Sequence, residues 1–232
     1  MTQSNEILAL ERFDTDGALQ ETGGELDGST RGAFFKRAGV AAASLAGTSA
    51  LMGGLPSLAM GASGIPKSDV AILNFALTLE FLEAEFYKQA SDHLQGANGV
   101  IAEFASLVAE HEQTHVTTLR KVLGSKAVKK PTFDFGKAVT DPDTFVKTAF
   151  VLENTGVHAY LGQAGKIKTP ALLGAAATIV TVEARHAAAI ALVISSTAIN
   201  GKSGITPDGA FDVPKSKAAI LSAVKKTGFI KG

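Results

Sequence analysis

Residues 105–119 read ASLVAEHEQTHVTTL, and residues 176–190 read AATIVTVEARHAAAI. Each stretch holds one Glu-x-x-His, Glu112 with His115 and Glu183 with His186. In the first, Ala105, Val108, Glu112, His115 and Leu119 share one helical stripe; in the second, Ala176, Ile179, Val180, Glu183, His186 and Ile190 do the same. A spacing of three puts both side chains on one face, one turn apart, where they can share a metal ion. With 12 Glu and 5 His in 232 residues, chance supplies only about 0.26 such pairs. Two pairs, both on apolar stripes, therefore ask for a structural reason.

Two further stretches supply lone glutamates. Leu73, Leu77, Glu80, Ala84 and Tyr87 share a face, as do Val146, Phe150, Glu153, Val157 and Tyr160. Leu79-Glu80 through Tyr87 aligns with Leu152-Glu153 through Tyr160, Glu and Tyr seven apart in both, and these are the only two tyrosines of the chain. Glu80 to Glu112 spans 32 residues and Glu153 to Glu183 spans 30, so the halves repeat at the length of a helical hairpin.

Punctuation places four long helices around these stripes. Ser68-Asp69 reads as an N-cap for a helix over Val70 to about Leu94, and Gly96 with Asn98-Gly99 turns the chain. The second helix runs from about Val100 to Leu123 and stops at Gly124. Ser125–Asp141 reads as a loop; Asp141-Pro142 and Thr169-Pro170 then start helices ending near Ala164 and Ser196. A short helix follows Pro214, its Ala218, Ile220, Leu221 and Val224 facing the bundle or a neighbour. Helices of roughly 22–28 residues are about 33–42 Å long. Short, long and short connections between them describe an all-α four-helix bundle, two antiparallel hairpins joined by a crossover, over residues 63–200.

Inside such a bundle, four carboxylates and two imidazoles cost several kcal/mol each if unpaired. Two divalent cations would cancel the four negative charges, and this ligand chemistry suits Fe, Mn or Zn. Glu83, one turn from Glu80, could replace it as a ligand, but its repeat counterpart is Gly156, which favours Glu80. Glu85, Glu103 and Glu110 fall off the stripes and read as solvated, His111 and His158 as surface or hydrogen-bonded neighbours of the ligands, and His93 as a helix-end group.

The set Glu80, Glu112-x-x-His115, Glu153, Glu183-x-x-His186 resembles the di-metal carboxylate signature of the ferritin-like superfamily. Leu73-Asn74-Phe75-Ala76-Leu77, Leu82-Glu83-Ala84-Glu85-Phe86-Tyr87 and Glu112-Gln113-Thr114-His115 resemble its exported, desiccation-associated branch, over about residues 68–198. The resemblance implies a ferritin-like fold with a dinuclear Fe or Mn centre. In it Glu112 and Glu183 bridge the metals, Glu80 with His115 completes one shell, and Glu153 with His186 the other. It places Tyr87, beside the first-helix Glu, as a hydrogen bonder or radical partner, with Tyr160 as counterpart. The activity implied is oxidoreductase chemistry with O2 or peroxide, either Fe(II) oxidation or peroxide removal, in stress protection. A non-catalytic desiccation or stress protein, its metal a staple or absent, is the alternative of a different class. Iron storage in a cage ranks last, because exposed acids are sparse.

The rest of the chain narrows the setting. Residues 1–30 are acidic and aperiodic, and Ser29–Arg37 leads into the Ala- and Gly-rich run 38–60, with small residues at Ser57, Ala59, Gly61 and Ala62. Residues 1–62 thus resemble a disordered n-region with a twin-arginine export signal, Gly32 standing where the second arginine would be. The expected location is the periplasm, with membrane contact only through that segment, although the run could also serve as an anchor. Basic and acidic residues balance at 22 each, and residues 63–232 carry a net charge of only +3, which gives no nucleic-acid footprint. Absence of cysteine excludes thiolate metal sites, iron–sulfur clusters and thiol catalysis. Met1, Met52 and Met60 are the only methionines, so residues 63–232 contain no Met, Cys or Trp, which suits a site handling oxidants. Partners are thus metal ions and O2 or peroxide, with a homo-oligomer open and residues 201–232 an extension of unassigned role.

Overall fold

The computed structural model describes residues 64–97, 99–194, 205–206 and 209–231. The export segment expected in residues 1–62 and the end of the fourth helix past Ile194 lie outside the described residues. Four long helices carry the fold: α1 (Lys67–His93), α2 (Gly99–Leu123), α3 (Pro142–Ala164) and α4 (Pro170–Ile194). A shorter helix, α5 (Lys217–Thr227), follows. α1 packs along α2 and α3 along α4, while α1–α3 and α2–α4 contacts join the two hairpins. The chain is an all-α, ferritin-like four-helix bundle with a short C-terminal helix.

Packing explains the level at which the polar residues sit. One apolar cluster joins the C-terminal half of α1 (Phe86, Tyr87, Ala90) to Phe104, Ala105 and Val108 of α2, Phe145 and Ala149 of α3, and Ile190 of α4. The other joins Leu73, Leu77 and Phe81 of α1 to Leu119 and Leu123 of α2, Tyr160 of α3, and Leu172 and Ile179 of α4. α1 and α3 are therefore antiparallel, as are α2 and α4. Glu80, Glu112, Glu153 and Glu183 occur near the middle of their helices, and along α2 and α4 the glutamate separates residues of one cluster from those of the other. Phe86 anchors the first cluster, stacked on Phe145 at 5.4 Å and edge-on to Tyr87 at 5.0 Å. By length and composition α4 could cross a membrane, yet it turns Glu183 and His186 into this core.

Two start signals act differently from one another. Asp141 caps α3 as expected, its carboxylate accepting from Thr144 N–H at 2.9 Å with Pro142 at the first position. Ser68-Asp69 does not cap α1: that helix begins at Lys67, behind Pro66, with no side-chain cap. Asp69 is instead fully buried and accepts from the N–H groups of Lys168 (3.1 Å) and Thr169 (2.9 Å). It thereby satisfies backbone donors just ahead of α4, tying the start of one hairpin to the turn of the other.

The crossover is more ordered than a plain loop. It contains short 3-10 turns at Gly124–Lys126 and Gly136–Val139 and a two-residue strand, β1 (Thr132–Phe133). Asn74 fixes its start, donating to Lys126 O at 2.9 Å and accepting from Val128 N–H at 2.8 Å. β1 pairs antiparallel with β2 (Ile230–Lys231), Phe133 opposite Ile230. The chain end is thus stitched to the crossover, and two-residue strands give too little alternation to be read from sequence. Between them α5, capped by Ser216 and closed by left-handed Gly228, buries Ile220 and Val224 in the first cluster. Of the four residues expected to face the bundle or a neighbour, Ile220 and Val224 pack on the bundle, whereas Ala218 and Leu221 are exposed.

One glycine makes this docking possible. Lys215 N–H donates to His158 O at 3.0 Å, and a Cβ at Gly162 would lie 1.8 Å from Lys215 O. Gly162→Ala is therefore expected to lift the C-terminal segment off α3. The check is limited trypsin digestion: cleavage at Lys215 and Lys217 should rise several-fold with helical circular dichroism kept. Asp69→Ala should lower unfolding free energy by about 2 kcal/mol in urea melts, because two backbone N–H groups, that of Thr169 buried, lose a charged acceptor.

Candidate metal centre

The six residues that sequence singled out as ligands meet at mid-bundle. Glu80, Glu112, Glu153 and Glu183 are fully buried, His115 and His186 nearly so. They form two groups with shared members: Glu80, Glu112, His115 and Glu183, and Glu112, Glu153, Glu183 and His186. In each group the ligand-type atoms lie within 4.8 Å of one another, about twice a metal–ligand bond of ~2.0–2.3 Å. Each group could hold a metal ion.

Nδ1 of each imidazole faces the carboxylates. His115 Nδ1 is 3.1 Å from Glu112 Oε2 and 3.2 Å from both Glu80 Oε2 and Glu183 Oε1. His186 Nδ1 is 3.2 Å from Glu112 Oε1 and Glu153 Oε2, and 3.9 Å from Glu183 Oε2. Glu112 and Glu183 thus present one oxygen to each group, whereas Glu80 and Glu153 serve one group each.

Tyr87 and Tyr160 are buried beside the site but exchange partners relative to the expectation that Tyr87 stands by the first-helix Glu. Tyr87 donates to Glu153 Oε1, and Tyr160 to Glu80 Oε1. Seven residues along a helix separate Glu and Tyr by about 10 Å, too far for a contact within it. A tyrosine ring leans back toward its helix N-terminus and reaches the antiparallel neighbour instead. Each bond occupies Oε1 and leaves Oε2 of Glu80 and Glu153 without a hydrogen-bond partner.

Those orphans test whether a cation fits. Glu80 Oε2, Glu112 Oε1, Glu153 Oε2, both Glu183 oxygens and His186 Nδ1 are buried without hydrogen-bond partners. All belong to the two groups. Buried polar atoms left unpaired are rare and costly, and six of them gathered in these two groups fit a donor set that could hold metal ions.

Electrostatics show the strain of the metal-free arrangement. Burial, then the charge of Glu183, pushes Glu112 well above the ordinary carboxylate range. Burial lifts Glu153 to about 7, against the pull of His186. Burial opposes Glu183 as well, but the two imidazoles beside it, His115 and then His186, outweigh it and draw that carboxyl down to about 2. Burial disfavours a charged His186, yet Glu112, Glu153 and Glu183 push it up to about 12; His115 is raised likewise, chiefly by Glu80. Burial and the charges of Glu153 and Glu80 raise Tyr87 and Tyr160 well above 10, keeping their hydroxyls as donors.

Two residues add to the set. Glu83, 3% exposed, belongs to neither group; a Cβ on Gly156 would lie 3.5 Å from both Glu83 Oε1 and Glu183 Oε2. Burial, then the charges of Glu183 and Glu153, push Glu83 well above the ordinary carboxylate range. His111, read as surface or hydrogen-bonded, places Nδ1 2.9 Å from His186 Nε2. Its position four before His115 was the available signal. Glu103 and Glu110 are exposed as expected, whereas Glu85 is half-buried and ion-paired to Lys130 in the crossover.

The ferritin-like domain model matches residues 68–196, more than half of the chain, and the protein belongs to that family. No curated protein matches it.

The charge arrangement fixes a pH dependence. Glu153 keeps its proton to about pH 7 in the folded metal-free chain but only to about 4.5 unfolded; His186 keeps its proton to about 12 rather than 6.5. Above pH 4.5 the folded state binds more protons, so its stability falls as pH rises. Glu183, lowered to about 2, contributes the opposite slope only below 4.5. Melting of chelator-treated protein should therefore drop between pH 5.5 and 8.5, and loading with Mn(II) should remove most of that drop.

Proposed function

We propose that this protein is an exported dinuclear Fe or Mn carboxylate protein that reduces O2 or peroxide in stress protection. The observation that carries the reading is the division of Glu112 and Glu183: each offers one carboxylate oxygen to either group, as ligands bridging two ions do. Glu80 with His115 and Glu153 with His186 complete the two positions. When bound, the metals supply the redox-active centres that exchange electrons with the oxidant.

The chain's own side chains prepare that chemistry. Tyr87 and Tyr160, held protonated, each donate to Oε1 of Glu153 and Glu80 and so fix Oε2 toward the metal position. Apolar clusters above and below exclude water and strengthen every charge interaction between them. His115 and His186 are protonated in the metal-free state and must lose Nδ1–H before ligation, so metal loading releases protons. The lack of Met, Cys and Trp in residues 63–232 leaves few side chains that an oxidant would damage. Export rests on the character of residues 29–62.

Elemental analysis of the full chain beside Glu112→Ala/Glu183→Ala tests the reading. About two Fe or Mn per chain are expected, absent from the double variant, with Fe(II) oxidation or peroxide consumption lost in parallel. A folded wild type that takes up no metal on reconstitution contradicts it.

A further inference from the structure

We infer that the two metal positions are unequal, because His111 orients His186 while, among the described residues, nothing equivalent supports His115; the position of Glu153 and His186 holds its ion more tightly. The inference rests on the dinuclear reading above. His186 turns Nδ1 to the carboxylates, which leaves Nε2 facing away from them. That Nε2 lies 2.9 Å from His111 Nδ1, the rings 5.2 Å apart and inclined by 16°. An imidazole giving its Nδ1 lone pair to a cation carries its proton on Nε2, so His186 donates and His111 accepts. Such a bond fixes the tautomer and the ring angle and raises the basicity of the ligating nitrogen.

The repeat shows why this is a difference rather than a general feature. Ligands and tyrosines occur in matched pairs, Tyr87 on Glu153 and Tyr160 on Glu80. His111 directly precedes Glu112, and the residue directly preceding Glu183 is Val182, which has no acceptor. Among the described residues, all the hydrogen bonds and ion pairs of the His115 ring are made by Nδ1. Glu83 opposite Gly156 is the other break in the repeat; a Cβ on Gly156 would lie 3.5 Å from both its Oε1 and Glu183 Oε2.

Calorimetric titration of the metal-free full chain with Mn(II) tests this, beside His111→Leu and His111→Gln. Wild type should bind two ions in two resolved steps. His111→Leu should weaken the tighter step about 10–100-fold and leave the weaker one in place; His111→Gln, whose amide oxygen can accept, should recover most of the loss. Crystals with one equivalent of Mn(II) should show anomalous density chiefly between Glu153 and His186, a readout that needs no variant. Two equal steps in wild type, an unchanged isotherm for His111→Leu, or density shared evenly would overturn the inference while leaving the dinuclear centre intact. Fewer than two ions bound by wild type would overturn both.

Discussion

Four carboxylates buried at one level of an apolar bundle are the constraint on which the rest of this structure depends. Glu80, Glu112, Glu153 and Glu183 have no solvent exposure, and two imidazolium rings compensate at most half of their charge. The metal-free chain responds unevenly: the tendency to hold a proton rises at Glu112 and Glu153 and falls at Glu183. Such a cluster is destabilising by several kcal/mol unless counter-charge arrives. The scaffold tolerates it because the carboxylates sit at mid-helix, with aromatic and aliphatic packing on both sides.

The two hairpins are bound together by crossing over each other's functions. Tyr87 of the first serves Glu153 of the second, and Tyr160 of the second serves Glu80 of the first. Asp69 of α1 holds backbone donors ahead of α4, and β1 of the crossover pairs with the chain end. Neither hairpin can complete the site alone, so the site is also an inventory of inter-hairpin contacts. Docking of α5 through Ile220, Val224 and the close approach at Gly162 adds a third element across α1 and α3.

Helix periodicity and the paired Glu-x-x-His stretches made the bundle and the ligand level legible in the sequence, because spacing along one helix determines which residues share a face. What remained hidden was relational. Tyr87 and Glu80 occupy one stripe, yet the tyrosine bonds across to α3, and no intrahelical spacing encodes that. Asp69 stands where a cap belongs, but satisfies the turn ahead of another helix, 99 residues away. His111 falls one residue off the stripe and still meets His186, since α2 and α4 are neighbours at that level. Strands of two residues carry no pattern at all.

The central claim is that the buried charge of this bundle is neutralised by two ions held in overlapping carboxylate sets. Anomalous diffraction at the manganese edge, from crystals of the protein saturated with Mn(II), addresses it most directly. The account predicts two peaks at mid-bundle, one among Glu80, Glu112, His115 and Glu183, the other among Glu112, Glu153, Glu183 and His186. A single peak, or density at neither position with the carboxylates still buried, would contradict it.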